Sequence, residues 1–103
     1  MQSEKVIQKD IIKLLKERGA WVVKIEAGRN HNTVDLFGIY KGLGFVIEVK
    51  KEDCDPIKAM TKLQAICIRD VQLIGKGYAI CTNSVAVVGE LLCLMDRKKI
   101  VDV

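Results

Sequence analysis

The sequence predicts an α/β domain with the element order αβββαβα, and three observations predict it. Apolar residues recur at helical spacing over residues 4–18. Three later segments, up to residue 50, switch to period two or to β-favouring composition. A Thr-x-x-Gln capping box then opens a second helical stretch at Thr61. With 103 residues, 50% of them hydrophobic and 29% charged, the chain has the length and composition of a single domain, read here as residues 1–103.

Taken in order, Ser3 is placed to cap a first helix over residues 4–18, in which Ile7, Ile11, Leu14 and Leu15 share one face and Gly19 supplies the stop. Residues 21–26 alternate as a strand does, and residues 27–33 are polar and rich in turn formers. Residues 34–40 and 45–50 form a hairpin closed by the four-residue connection Lys41-Gly42-Leu43-Gly44. Residues 51–60 mix charge with Asp55-Pro56 and are expected to be irregular. The helix opened by Thr61 and Gln64 turns Leu63, Cys67, Val71 and Ile74 to one face, widened by Ile66 and Leu73, and ends at Gly75 or Gly77. Residues 78–81 read as a short buried strand, and Asn83 or Ser84 caps a last helix through about Asp96.

Composition excludes several classes. One proline and eight glycines exclude a Pro/Gly-rich disordered chain. No run approaches the roughly 18 uninterrupted apolar residues of a membrane span. The amino terminus lacks the apolar core of a signal peptide, so a cytoplasmic rather than secreted protein is expected. Cys54, Cys67, Cys81 and Cys93 are far apart and accompanied by one histidine, which excludes zinc-ligand spacing and reads as reduced, mostly buried thiols. Seventeen basic against thirteen acidic residues, a net charge of +4, permit a polyanionic partner. The high apolar fraction of so small a domain leaves surface for a second copy, expected on the second or last helix through Ile66, Leu73, Val88 or Leu92.

The chemistry gathers at the end of the third strand. Phe45, Ile47 and Val49 face one way and Val46, Glu48 and Lys50 the other, because side chains alternate across a strand. A four-residue connection sets Asp35 opposite Lys50 and Phe37 opposite Glu48, so that Asp35 and Glu48 become diagonal neighbours on one face. Two carboxylates and an ammonium among Val, Ile and Phe are costly to bury without a counter-ion. Glu4, at the edge of the core-facing stripe of the first helix, adds a third carboxylate. Oxygen ligands of this kind suit magnesium or manganese.

Glu4 in an opening helix, Asp35 in a second strand and Ile47-Glu48-Val49-Lys50 in a third resemble the PD-(D/E)XK nuclease pattern. Within that superfamily the chain looks most like the VRR-NUC domain, through Glu4-x-x-x-Gln8, the Gly28-Arg29 loop before Asp35, Glu48-Val49-Lys50, and the later Gln64 and Gly77. The resemblance runs from Glu4 to about Leu92. It departs at Val34, where the superfamily often has proline before the aspartate.

The resemblance implies a restriction-endonuclease-like αβββαβ core, a mixed central sheet flanked by helices. It implies that Glu4, Asp35, Glu48 and the backbone carbonyl of Val49 hold Mg2+ or Mn2+, and that Lys50 orients or helps deprotonate the attacking water. Gln8, Arg29, His31, Lys51 and Gln64 are the candidate substrate-binding residues, with Lys58 and Lys62 near them. Small stand-alone members of the family resemble Holliday-junction resolvases, so the expected activity is metal-dependent endonucleolytic cleavage of branched DNA by a homodimer. The alternative is a catalytically silent nucleic-acid-binding module of the same fold. Lys5, Lys9, Lys13 and Lys16 form a basic stripe on the first helix, a pattern shared by ordinary solvated helix faces.

Overall fold

The computed structural model describes residues 1–25 and 34–101. The expected loop over residues 27–33, and with it Arg29 and His31, lies outside the described residues. The fold is α/β: a four-stranded mixed sheet flanked by helices.

Helix α1, Glu4–Glu17, begins where Ser3 Oγ accepts the Val6 amide at 3.3 Å, and ends at Arg18, after which Gly19 adopts φ 86°, a conformation open to glycine at little cost. Strands β1 (Trp21–Lys24), β2 (Leu36–Tyr40) and β3 (Leu43–Val49) run antiparallel in sequence, and β4 (Tyr78–Thr82) lies parallel to β3 at the sheet edge. A parallel return requires a crossover. It is made by α2 (Pro56–Ala59) and α3 (Lys62–Leu73), and α4 (Val85–Val101) comes back to pack beside α1.

Alternation along the strands divides the core in two. Leu36, Tyr40, Phe45, Ile47 and Val49 join Ile7, Ile11 and Leu15 of α1 and Val88, Leu91, Leu92 and Met95 of α4 in the main cluster. On the opposite face α3 sets Cys67, Ile68 and Val71 against Val46 and Ala79. Helix α3 thus covers β3 and β4, whereas Trp21, Val23, Phe37 and Ile39, on the same face of β1 and β2, remain exposed. Trp21 and Phe37 meet there edge to face, with ring centroids 6.0 Å apart.

The structure corrects the expected hairpin. Tyr40 pairs with Leu43, so the connection is the two-residue turn Lys41-Gly42, both at positive φ (50° and 83°), the geometry that matches the twist of the flanking strands. Gly44 lies inside β3, opposite Ile39. The true register differs from the expected one by two residues, and because side chains alternate with period two every side chain stays on the face assigned to it.

Five smaller corrections concern the second half. Residues 51–60 are not wholly irregular: Asp55 Oδ1 accepts the amides of Ile57 and Lys58, and Pro56 opens the short helix α2. The buried face of α3 is Gln64, Cys67, Ile68 and Val71, so Leu63 and Ile74 are left exposed. Of the two capping candidates Ser84 directly precedes α4, and Asn83 is used elsewhere. Its amide donates to the carbonyls of Lys51, Glu52 and Cys54 and pins the loop after β3, while Thr82 Oγ1 accepts the Ser84 amide. The cysteines are free thiols as expected, but Cys54, Cys67 and Cys81 are only half-buried and Cys93 is exposed. Val88 and Leu92 are fully buried core residues and have no surface to offer a second copy.

Candidate metal centre

The centre is built where β2 begins and β3 ends. Continuing the observed β2–β3 register by one residue sets Asp35 directly opposite Glu48, closer than the diagonal placement expected from sequence. Asp35 Oδ2 accepts the Val49 amide at 2.8 Å, so the carboxylate itself prolongs the ladder and ties the Val49 backbone to the cluster. Glu4 enters from the first turn of α1. Carboxylate oxygens of Glu4, Asp35 and Glu48 lie within 4.8 Å of one another, the one such cluster of three metal-ligating side chains among the described residues.

Glu48 is 1% exposed, and its two oxygens are used differently. Oε2 accepts from Lys50 Nζ at 2.9 Å and from Gln64 Nε2 at 3.0 Å. Oε1 is buried with no hydrogen-bond partner. A buried carboxylate oxygen without a donor is costly, so the site calls for a positive charge on that side. The orientation of the Gln64 amide is fixed by its neighbours. Its Oε1 accepts from Lys50 Nζ at 3.1 Å and from the Thr61 amide at 3.0 Å, two donors that a flipped amide would repel. The same Gln64 completes the capping box with Thr61 Oγ1, 3.1 Å from the Gln64 amide nitrogen. One residue therefore both starts α3 and braces the charged pair.

Burial dominates the electrostatics. It lifts the Glu48 carboxyl from its ordinary 4.5 to about 7; the Lys50 hydrogen bond opposes the rise without cancelling it, and the Asp35 charge adds to it. Burial also pushes Glu4 above its usual range, reinforced by Asp35 and opposed by Lys50. For Lys50 burial acts downward, yet the hydrogen bond and charge of Glu48 outweigh it and hold the ammonium above its ordinary pKa. Beside them, across the β3–β4 ladder from Glu48, burial raises the Cys81 thiol to about 11, so it stays protonated and inert near neutrality.

Of the residues singled out from sequence, Glu4, Asp35, Glu48, Val49, Lys50 and Gln64 come together here. Gln8 is buried at the side of the cluster and, with Glu4 and Asp35, lines a cavity of about 310 Å3. Lys51 stands one residue further on with its side chain 64% exposed, and Lys58 and Lys62 are exposed on α2 and α3. Lys24 lines the same cavity as Gln8 and was not among the expected site residues. Its signal is positional: two residues after Val22, which packs on the main core, it shares that residue's face and so points to the α1 side of the sheet.

The cluster has the donor set of a hard divalent cation: three carboxylates, an orphaned oxygen, and no sulfur or imidazole among the convergent ligands. Comparison with protein-family models and with curated proteins finds no match to this chain. No described helix is long and apolar enough to cross a membrane.

Proposed function

We propose that the chain is a Mg2+- or Mn2+-dependent endonuclease acting on branched DNA, with a restriction-endonuclease-like core of the VRR-NUC kind. The observation that carries this reading is Glu48 Oε1, buried without a partner in a cluster with Glu4 and Asp35. The order of helix, three antiparallel strands, helix and parallel strand supports the core type, because it brings an acid from α1, one before β2 and one on β3 to the same end of the sheet.

Glu4, Asp35, Glu48 and the Val49 carbonyl would hold the ion, which supplies a water of lowered pKa and positive charge against the phosphate. Lys50, charged and hydrogen-bonded to Glu48, orients the water and offsets charge on the phosphate. Gln64 keeps Lys50 and Glu48 in fixed relation, and Gln8, Arg29, His31 and Lys51 contact the DNA. A second copy of the chain is the partner, since two strands must be cut at a branch and each copy brings one acidic centre. The exposed Trp21, Val23, Phe37 and Ile39 are the apolar surface this reading assigns to the pair.

The test is incubation of the purified protein with an end-labelled four-way junction and a duplex of equal length, with Mg2+ or with a chelator. Junction cleavage that requires the metal is expected. Absence of cleavage on both substrates in Mg2+ and in Mn2+ would overturn the reading.

A further inference from the structure

Two cavities beside the acidic centre share a wall. The first, about 310 Å3, is lined by Glu4, Lys5, Gln8, Lys24 and Asp35. The second, about 330 Å3, is lined by Lys5, Gln8, Lys9, Ile12 and Lys24. Lys5, Gln8 and Lys24 belong to both, so the two are parts of one groove between α1 and β1 that opens at one end on Glu4 and Asp35. Its walls follow from the two periodicities: Lys5, Gln8, Lys9 and Ile12 recur at helical spacing on one face of α1, and Lys24, like Val22, lies on the α1 side of β1.

Two features of this groove suit an anionic ligand. Gln8 is 7% exposed and lines both cavities. A side-chain amide on the wall of a groove offers donors and an acceptor to a ligand that enters it. Lys5, Lys9 and Lys24 form no ion pair with any described carboxylate. Three ammonium groups strung along two walls, rather than converging on one point, suit an extended polyanion better than a single small anion.

Resting on the nuclease reading above, we infer that this groove holds the sugar-phosphate backbone of the DNA strand leading from the acidic centre. Lys5, Lys9 and Lys24 face its phosphates, and Gln8 donates its amide to a backbone oxygen next to the reacting phosphate. The contacts are to the backbone and carry no base identity, so the groove sets the path of the strand and leaves the sequence unread.

The test compares wild type, the double variant Lys9→Ala/Lys24→Ala, and the control Lys76→Ala/Arg97→Ala, which loses the same charge from exposed positions that line none of the cavities along α1. Anisotropy of a labelled single-stranded oligonucleotide in Ca2+ over a salt series gives the number of phosphate contacts, and steady-state cleavage in Mg2+ gives KM and kcat. The groove variant is expected to bind at least about tenfold more weakly at low salt. Its log–log salt slope should be smaller by about 1.4, two contacts at roughly 0.7 each, with KM raised and kcat little changed. The control should keep the wild-type slope. Equal slopes for the groove variant and wild type, in a protein that cleaves, would overturn the inference and leave the nuclease reading standing. Lysine-dependent binding by a protein that neither cleaves nor binds Mg2+ would do the reverse, and failure of wild type to bind the oligonucleotide at all would overturn the groove.

Discussion

Gln64 Nε2 donates to Glu48 Oε2 at 3.0 Å, and that bond ties the first turn of α3 to the buried acid of β3. The face α3 turns to the sheet follows from it. With Gln64 directed at Glu48 and Lys50, Ile68 and Val71 fall on the sheet, and Leu63 and Ile74 are carried to the surface although they belong to the more apolar stripe. Satisfying a buried charged pair outranks burying two further aliphatic side chains.

Gln64→Ala is therefore expected to cost about 10- to 100-fold in metal affinity or cleavage, the usual range for a residue that orients a ligand without touching the ion. It also removes half of the capping box, with a loss of about 1 kcal/mol in urea unfolding. Metal titration and denaturation of the same variant check both figures.

The metal-free protein should become more stable as pH falls from 8 to 6. Glu48 binds its proton with a pKa near 7 in the folded chain against an ordinary 4.5, so between those values the folded state holds a proton that the unfolded state has released. Stability from this group is fully present below about 4.5 and is lost as pH rises through about 7. Glu48→Gln, which has no proton to bind there, should flatten the profile between pH 6 and 8. Metal binding displaces the same proton, so affinity for Mg2+ should rise between pH 6 and 8.

Asp35 has two duties that different substitutions separate. Asp35→Asn and Asp35→Ala should each lower cleavage by more than about 100-fold, as loss of a ligand requires. Asn keeps an acceptor for the Val49 amide. Ala leaves that amide unpaired and should cost a further 1–3 kcal/mol or about that much in thermal unfolding.

The expected hairpin was wrong in its turn and right in its faces. Gly44 reads as a turn residue from composition but serves as a strand residue, and Lys41 at φ 50° is a left-handed position that nothing local announces. Alternation is unaffected by a two-residue shift, which is why Asp35 and Glu48 are legible in the sequence as neighbours on one face. The Gln64 bridge was not legible, since Thr61-x-x-Gln64 shows a cap and gives no sign of what the far end of the glutamine reaches. Lys24 was legible by its parity and hidden by its ordinary charge.

Assembly separates core from surface. Leu92→Glu places a charge where the side chain is fully buried and should unfold the protein. Ile39→Asp, on the exposed half of the sheet, should leave the fold intact and convert a dimer to monomer in light scattering. Wild-type protein that is monomeric at micromolar concentration, free and bound to a junction, would rule out the pair.

The centre itself is tested most directly by electron paramagnetic resonance of Mn2+ titrated into the protein at pH 8, where binding removes the free-ion signal without any need for the right substrate. Wild type and Lys50→Ala should both take up the ion, because Lys50 faces the acid and the water rather than the metal, and Glu48→Gln should lose that uptake by at least about 100-fold in affinity. Uptake by Glu48→Gln equal to that of wild type would contradict the assignment of Glu4, Asp35 and Glu48 as a metal centre.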